Sequence, residues 1–450
     1  MEFADETEDE LRAFAERLLA FDTTGGKEGP AQAWLVDRLE EWGFETYEWT
    51  ADAAALAEHP SFPDDPDAVE NTEASAGGPG LDERPSVAGV LEFGDSVERR
   101  STDGSSGERS DPRDDSGPTL VLNGHADVVP VARESWDTDP FEPTWGENES
   151  GDPTLTARGA ADMKCGLAAC VFAARRLAER ADREDLDGRL VVESVVGEEE
   201  GGIGAAAAAL SNPYPFERDA AIVAEPTDLT PVVATEGTVM KRLRLTGRSA
   251  HAATRWRGES VLPRFERVRR AFEALEGERG ESVDHPLYEE FPVPWPVTFG
   301  TVDAGTWSSS VPATLEAEVR IGVAPGESVA EVEAAYERRL AEVVDEDEWL
   351  REHPPSFERF SIQFESAEIS PDEPAVAALR SAMAERDLDT APRGATYGAD
   401  SRHYVAAGIP TAVFGPGTIE QAHFPNETID WPDVLTASEV LADAARAFLG

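Results

Sequence analysis

The sequence predicts an α/β fold with a larger domain, built on a mixed sheet with helices on both faces, and a smaller α+β domain inserted into it. Apolar strand-like runs alternate with helical patterns up to about residue 236 and again after about residue 368, which is typical of a sheet layered between helices. Between them, the order strand, helix, two strands, helix, strand indicates a ferredoxin-like layer. At 450 residues the chain is long enough for two or three domains.

The domain boundaries follow from these changes of pattern. We predict that residues 1–236 and 368–450 form the larger domain and that residues 237–367 form the inserted one. Two polar stretches rich in Gly, Pro, Ser and Asp interrupt the larger domain at about 63–85 and 95–118. We expect both to be mobile acidic insertions on the surface.

The charge of the chain excludes several partners. Its 91 acidic and 39 basic residues give a formal net charge of −52. Nucleic acid is not expected to bind, because phosphate contacts need basic patches. Molar salt reduces the Debye length to about 3 Å and screens the self-repulsion of such a surface, so we interpret the chain as that of a halophile. No apolar run approaches the ~20 residues of a membrane span, and no membrane partner is expected.

Two further features predict a cytoplasmic location. The two cysteines, Cys165 and Cys170, stand five residues apart on one predicted helix and fit no disulfide framework, which favours a reducing compartment. The N-terminal residues show neither the basic nor the apolar region of a signal peptide.

The stretch from Gly124 to Pro130 is the most informative motif. It follows an apolar run, Thr119 to Leu122, that is typical of a buried strand. The alternation of a strand places His125 and Asp127 on one face, where Asp127 can hydrogen-bond the far ring nitrogen of a metal-binding His. Taken alone, a His-x-Asp pair is more typical of a loop His beside a turn Asp.

Four further acidic or His positions stand in similar contexts. Asp162 lies in a Gly-containing loop that leads into a helix, and Glu198 to Glu200 follow an apolar strand. Glu225 ends another strand, and His423 follows the strand-like run 410–414. All of these positions lie at the C-terminal ends of predicted strands or just beyond, which is where open α/β sheets bind ligands.

This donor set predicts two divalent metal ions. Two His and three carboxylates, with no thiolate, suit zinc, cobalt or manganese. Five ligands are too many for one tetrahedral ion. With one carboxylate shared, they make two sites roughly 3.5–4 Å apart, as in co-catalytic hydrolases. A spare Glu beside a ligand Glu would be the general base for the attacking water.

The ordered set resembles the two-zinc aminoacylase and carboxypeptidase family, which includes acetylornithine deacetylase and succinyl-diaminopimelate desuccinylase. The resemblance implies a zinc-peptidase-like catalytic domain and an inserted lid or dimerisation domain. It assigns Asp127 to orienting the metal-binding His. Carried over position by position, it gives the ligands of the two metals as His125 and Glu225 for one, Glu199 and His423 for the other, with Asp162 shared.

The resemblance leaves the register of the three consecutive glutamates open. The family usually has Asp-Glu-Glu-x-Gly-Gly, and alignment on Gly201 and Gly202 makes Glu198 the general base and Glu199 the ligand. Because three Glu follow one another, a slip of one residue stays open, with Glu199 as the base and Glu200 as the ligand.

The inserted domain carries two more positions that match the family. Gly247 to Ala252 matches the lid motif whose His, here His251, polarises the scissile carbonyl in relatives and often reaches the neighbouring subunit's site. The resemblance therefore implies a homodimer formed through the lid. Arg320 matches a position that binds the substrate's carboxylate, a task that suits an Arg fork. Ser309 stands where many relatives carry an Asn. The sequence around Ser309 resembles an acetylornithine deacetylase-like branch of the family, whose specificity is uncertain.

The predicted function is a metal-dependent amidohydrolase that cleaves N-acyl amino acids, such as N-acetylornithine, in amino-acid biosynthesis. The expected partner is thus a small-molecule substrate. The alternative is a metallo-exopeptidase, either a carboxypeptidase or a dipeptidase. Two lesser alternatives are a formyl-pyrimidine deformylase and a catalytically silent relative that serves as a scaffold.

Overall fold

The computed structural model describes residues 5–59, 61–62, 79–94, 117–180 and 185–450. The α-helices of these residues are α1 Asp5–Leu19, α2 Gly29–Glu41, α3 Ala53–Ala57, α4 Cys165–Ala178, α5 Ile203–Leu210, α6 Leu262–Ser282, α7 Val329–Asp345, α8 Glu348–Glu352, α9 Pro374–Ala384, α10 Ser401–Ala406 and α11 Trp431–Leu449. The strands are β1 Glu45–Trp49, β2 Ser86–Phe93, β3 Thr119–His125, β4 Thr144–Glu147, β5 Pro153–Thr156, β6 Gly188–Val195, β7 Ala220–Val223, β8 Val232–Thr235, β9 Gly237–Thr246, β10 Val297–Ala304, β11 Thr314–Val323, β12 Ser356–Arg359, β13 Ala367–Glu368, β14 Arg393–Ala395, β15 Thr411–Val413 and β16 Thr428–Asp430.

A mixed sheet forms the larger part of the molecule. Its strands run in the order β1-β2-β6-β3-β7-β15-β8-β13, and β14 pairs with β8. The central strands β6, β3, β7 and β15 are parallel to one another. Strand β2 is antiparallel to both β1 and β6, and β15 is antiparallel to β8. The C-terminal ends of the four parallel strands therefore lie at one edge of the sheet.

Helices cover both faces of this sheet. Leu120 and Leu122 of β3 pack in one core with residues of α1, α4 and α11. Val121, which projects to the opposite face, packs in a second core with Ala205 of α5 and Tyr404 of α10. Strands β3 and β6 are buried along their whole length, as strands covered by helices on both faces are. The predicted fold class is confirmed.

The inserted layer is a four-stranded antiparallel sheet in the order β10-β11-β9-β12. Helices α6 and α7 cover one face of it, and the Phe272 and Tyr336 rings meet there in an edge contact of 5.1 Å between centroids. The element order is the ferredoxin-like order that the sequence predicts. The predicted boundary at 367/368 falls within β13, which belongs to the large sheet, and the domain limits stay a prediction.

The predicted insertions fall largely outside the described residues, in 63–78 and 95–116. Of the remainder, Leu81 and Arg84 are buried, at 4% and 2% exposure. The interpretation of 63–85 as a surface insertion is therefore wrong for these two residues, because Arg84 pairs with the buried Glu28 at 2.6 Å. None of the helices described is long and apolar enough to cross a membrane.

Gly166 of α4 packs closely against the residues that follow β7 at the edge of the sheet. A Cβ at this position in α4 would lie 2.2 Å from the carbonyl oxygen of Ala224, directly before Glu225. We expect Gly166→Ala to lower the free energy of unfolding by about 1–3 kcal/mol, as overpacked cores do, and to weaken metal binding. Denaturant unfolding at molar salt, with metal titration, measures both.

The matched control is Gly277→Ala in α6, where no atom lies within 4 Å of the added Cβ. Its unfolding free energy is expected to rise by about 0.4–1 kcal/mol, because alanine restricts the unfolded chain. Equal effects of the two substitutions would show that the contact at Ala224 is not tight.

Candidate metal centre

The parallel strands bring the predicted metal ligands to one edge. His125 is the last residue of β3, Glu198 and Glu199 follow β6, and Glu225 follows β7. Because β3 pairs in parallel with both β6 and β7, the residues after these strands meet. His423 reaches the same place from the segment between β15 and β16.

Asp162 lies between the two imidazoles. His125 Nε2 is 3.1 Å from Asp162 Oδ1, and His423 Nε2 is 3.4 Å from Asp162 Oδ2. His423 Nε2 is also 3.1 Å from Glu199 Oε2, and His125 Nε2 is 3.9 Å from Glu225 Oε1. Each oxygen of Asp162 thus lies near a different His, and each His has a further carboxylate of its own. This is the arrangement that two ions with one shared carboxylate require.

The electrostatics of the cluster call for cations. Burial raises the pKa of Glu225, and it also raises the pKa of Glu198, with the charge of Asp400 as the next cause. Hydrogen bonds with Asp162 and Glu199 raise the pKa of His423 to about 11. The buried carboxylates therefore need positive charge beside them. An oxygen-rich set with two imidazoles fits two divalent ions.

Two overlapping groups of donor atoms have the size of a metal site. The ligand atoms of His125, Asp162 and Glu199 lie within 4.8 Å of one another, and so do those of His125, Glu198 and Glu225. Glu198 thus lies close enough to a metal position to act on a water molecule there.

The third glutamate of the run is bound elsewhere. Glu200 Oε2 lies 2.5 Å from Arg84 Nη1, in an ion pair whose Arg is buried. Glu199, by contrast, is the glutamate that reaches His423. This geometry favours the register with Glu198 as the base and Glu199 as the ligand over the register shifted by one residue.

Asp127 contacts the cluster differently from what the sequence suggested. Its Oδ1 accepts a hydrogen bond from the Glu198 N–H at 3.2 Å, and its Oδ2 accepts one from the Glu199 N–H at 3.0 Å. His125 Nδ1 lies 3.0 Å from the carbonyl oxygen of Asp127 and 3.6 Å from its Oδ1. The expected hydrogen bond from the His125 ring to the Asp127 carboxylate is therefore wrong, because β3 ends at His125 and the strand alternation stops there. The role of Asp127 in orienting His125 stays a prediction.

Glu427 is a functional candidate that the sequence reasoning missed. It is fully buried, and its carboxylate accepts hydrogen bonds from the backbone N–H groups of Gly159, Ala161 and Asp162 at 2.8–3.0 Å. Arg158 Nη1 donates a further bond at 2.8 Å. Glu427 thus fixes the loop that presents Asp162. The only signal in the sequence is its place four residues after His423.

Helix α10 holds the loop of the proposed base from the other side. The carbonyl oxygen of Gly201 accepts hydrogen bonds from Arg402 Nη2 at 2.6 Å and from His403 Nε2 at 3.0 Å. Burial, followed by the charge of Arg402, lowers the pKa of His403 well below its usual value, so the ring is neutral and donates through Nε2–H. A Cβ at Gly202 would lie 2.3 Å from Asp400 Oδ1, so a side chain there would displace this support. No pattern in the sequence indicates these roles.

Arg320 and His251, the two site residues predicted in the inserted domain, lie at different places relative to the cluster. Arg320 lines a cavity of about 320 Å³ that opens onto Asp162 and Glu199. Its guanidinium is 3.4 Å from Glu236 Oε1. His251 is exposed and accepts a hydrogen bond from the Ala253 N–H; it is not among the described residues that line this cavity. One chain by itself thus brings Arg320, and not His251, to the cluster.

Comparisons with known proteins show which family the chain is similar to. Residues 121–447 match the model of peptidase family M20/M25/M40. The N-formyl-4-amino-5-aminomethyl-2-methylpyrimidine deformylase of Bacillus subtilis is 24% identical, over 98% of this chain and 94% of that protein. The acetylornithine deacetylase of Proteus mirabilis is 27% identical, over 73% of this chain and 79% of that protein.

A solved structure shows the same fold. It is a dinuclear metal-binding peptidase of the M20 family from Bacillus subtilis, with a TM-score of 0.59, 14% identity and 99% coverage of both chains. The site and fold thus define a metal-dependent hydrolase of amide bonds, as the sequence predicts. The chain belongs to peptidase family M20/M25/M40.

The role of Glu427 can be tested by removal. We expect Glu427→Ala to leave three backbone N–H groups and Arg158 without their buried partner, at a cost of about 3–5 kcal/mol in unfolding free energy. Because the loop of Asp162 loosens, metal affinity should fall about 10- to 100-fold. Thermal unfolding and calorimetric metal titration measure these effects.

The control for this substitution is Glu420→Ala, which removes an exposed glutamate from the same segment. Its unfolding free energy and metal affinity should stay near those of the wild type. Unchanged metal affinity in the Glu427 variant would contradict the role assigned to this residue.

Proposed function

We propose that this enzyme hydrolyses N-acyl amino acids, releasing the carboxylic acid and the free amino acid. The observation that carries the proposal is the cavity over the cluster. It combines the candidate ligands Asp162, Glu199 and Glu225 with the guanidinium of Arg320. A substrate with an amide at one end and a carboxylate at the other satisfies both sets of groups, since Arg forms paired hydrogen bonds with carboxylates.

The candidate ligands would be His125 and Glu225 for one ion, Glu199 and His423 for the other, and Asp162 for both. When bound, the two ions, zinc in the first instance, supply Lewis acidity that acidifies the attacking water and polarises the amide carbonyl. The distances on the two sides of Asp162 support this assignment.

Glu198 would move the proton of the reaction. Its carboxylate takes a proton from the attacking water as the oxygen bonds to the amide carbon, and it returns that proton to the nitrogen as the C–N bond breaks. The hydrogen bond that Asp127 accepts from the Glu198 N–H and the bond that Arg402 donates to Gly201 hold the segment of Glu198 from both sides. The net reaction consumes one water per amide.

A deformylase of aminomethylpyrimidines is the second candidate. It is favoured by the relative from Bacillus subtilis, which is similar over nearly the whole chain. The formyl amide in that relative's name carries no carboxylate, so Arg320 distinguishes the two candidates. Cleavage of dipeptides should be measured together with these two activities, because the same groups of the site could also act on a peptide bond.

Other properties extend the proposal. The large excess of acidic residues in the chain supports the proposal that the enzyme acts at molar salt, where repulsion between surface charges is screened. The exposed position of His251 on the inserted domain is compatible with a role at a neighbouring subunit's site, in a homodimer formed through residues 237–367.

Substitution of each glutamate in the run tests the assignment of roles. Glu198→Gln should keep two metal ions and reduce kcat by about 10²–10⁴-fold, because the proton shuttle is lost. Glu199→Gln should weaken one metal site. Glu200→Gln should keep both metals and most of the activity, because Glu200 is paired with Arg84. Amine release from N-acyl amino acids, measured with metal content, separates the three outcomes.

Full activity of Glu198→Gln would refute its assignment as the base. Loss of a metal from Glu200→Gln, with both retained in Glu199→Gln, would support the register shifted by one residue.

Removal of the guanidinium tests the carboxylate contact. We expect Arg320→Gln to raise KM for an N-acetyl amino acid about 10- to 100-fold, because a hydrogen bond to a charged group contributes roughly 1.5–3 kcal/mol. Hydrolysis of the corresponding amino-acid amide, which lacks the carboxylate, should change little. Steady-state kinetics on both substrates measure the difference.

Arg244→Gln serves as the control, since Arg244 lies in an exposed ion pair on the same small sheet. Equal losses of activity on the two substrates in the Arg320 variant would show that Arg320 has a structural role instead. Faster cleavage of a formylated aminomethylpyrimidine than of any acyl amino acid would favour the second candidate.

A further inference from the structure

The walls of the cavity beside the cluster are mainly apolar. Besides the candidate ligands and Arg320, the side chains that line it include Met240, Ile362, Phe364, Tyr397 and Ile419. The inserted domain supplies Met240 from β9 and the pair Ile362 and Phe364 from the segment after β12. The larger domain supplies Tyr397 and Ile419, which lies near His423 in the chain.

Met240 and Arg320 face the same substrate space from neighbouring strands. They are direct partners in the register between β9 and β11, so their side chains project from the same face of the small sheet. A carboxylate bound at Arg320 would therefore lie beside the apolar Met240. The atoms next to the carboxylate of an amino acid are its Cα and side chain, and these would enter the apolar part of the cavity.

Among the described residues, those that line the cavity offer no carboxylate outside the candidate metal centre to pair with a cationic side chain. Within the described lining, the carboxylates are Asp162, Glu198, Glu199 and Glu225, all of which belong to the candidate metal centre. Apart from His423, which also belongs to the candidate metal centre, the remaining charged group of this lining is Arg320, which would repel an ammonium. Burial of a charge without a partner is strongly unfavourable, whereas burial of an apolar side chain is favourable.

We infer that the preferred substrates are N-acyl amino acids with an apolar side chain, such as those of methionine, leucine or phenylalanine, and not N-acylated ornithine or lysine. This inference rests on the proposed function. A volume of about 320 Å³ lies within the usual range of small-molecule sites. The side chain packs against Met240, Ile362 and Ile419 while Arg320 binds the carboxylate.

The test compares kcat/KM of the wild-type enzyme, loaded with zinc at molar salt, on N-acetyl-methionine, N-acetyl-leucine, N-acetyl-glycine and N-acetyl-ornithine. The kcat/KM for the methionine and leucine derivatives should be at least about 10-fold higher than that for the ornithine derivative, since apolar contacts in a pocket discriminate by about 10- to 200-fold. They should also exceed the glycine derivative, which fills none of the apolar space.

A substitution then reverses the preference. Ile419→Glu places a carboxylate at the rim of the cavity, at a residue that is 40% exposed and therefore tolerant of the change. Activity on N-acetyl-ornithine should rise relative to N-acetyl-methionine by about 10-fold or more. Val302→Glu is the control, because Val302 is 49% exposed on β10 and does not line the cavity. Metal content is measured in both variants.

The outcomes separate this inference from the proposal beneath it. Equal or faster cleavage of N-acetyl-ornithine by the wild type would overturn the inference and leave the deacylase function standing. No turnover of any acyl amino acid, with two metals bound, would overturn the proposed function and the inference together. The wild-type comparison decides the inference even if Ile419→Glu fails to fold.

Discussion

Several carboxylates, those of Glu198 and Glu225 among them, are buried around Asp162. Carboxylates that repel one another in a poorly solvated place are unstable without positive charge beside them. The fold brings them together because the parallel strands β6, β3 and β7 end at one edge. Each of two imidazoles lies near a different oxygen of Asp162, and divalent cations held by this cluster would complete the balance of charge.

The surrounding residues hold this arrangement through the backbone more than through the ligands themselves. Glu427 fixes the loop of Asp162 by accepting three backbone N–H groups. Asp127 accepts the N–H groups of Glu198 and Glu199, and Arg402 donates to the carbonyl oxygen of Gly201 in the same segment. Interactions that orient metal ligands matter nearly as much as the ligands. The geometry needed for water activation thus follows from hydrogen bonds between segments that are distant in the chain.

Much of this could be predicted from sequence, and the limits have physical reasons. Apolar runs predicted the strands, and the polar residues after them predicted a cluster, because parallel strands end together. The roles of Glu427, Arg402 and His403 depend on contacts across hundreds of residues, which no local pattern encodes. The side-chain hydrogen bond predicted for Asp127 was wrong because the strand ends at His125. The three-stranded sheet of β16, β5 and β4, which places Glu427 beside the Asp162 loop, was likewise not predicted.

The most direct test of the shared carboxylate is calorimetric titration of zinc into metal-free wild type and into Asp162→Asn and Glu225→Gln. We expect the wild type to bind two ions per chain. A carboxylate shared by both ions predicts that Asp162→Asn weakens both binding steps, whereas Glu225→Gln weakens one. Binding of a single ion by the wild type, or the loss of only one step in Asp162→Asn, would contradict the shared carboxylate.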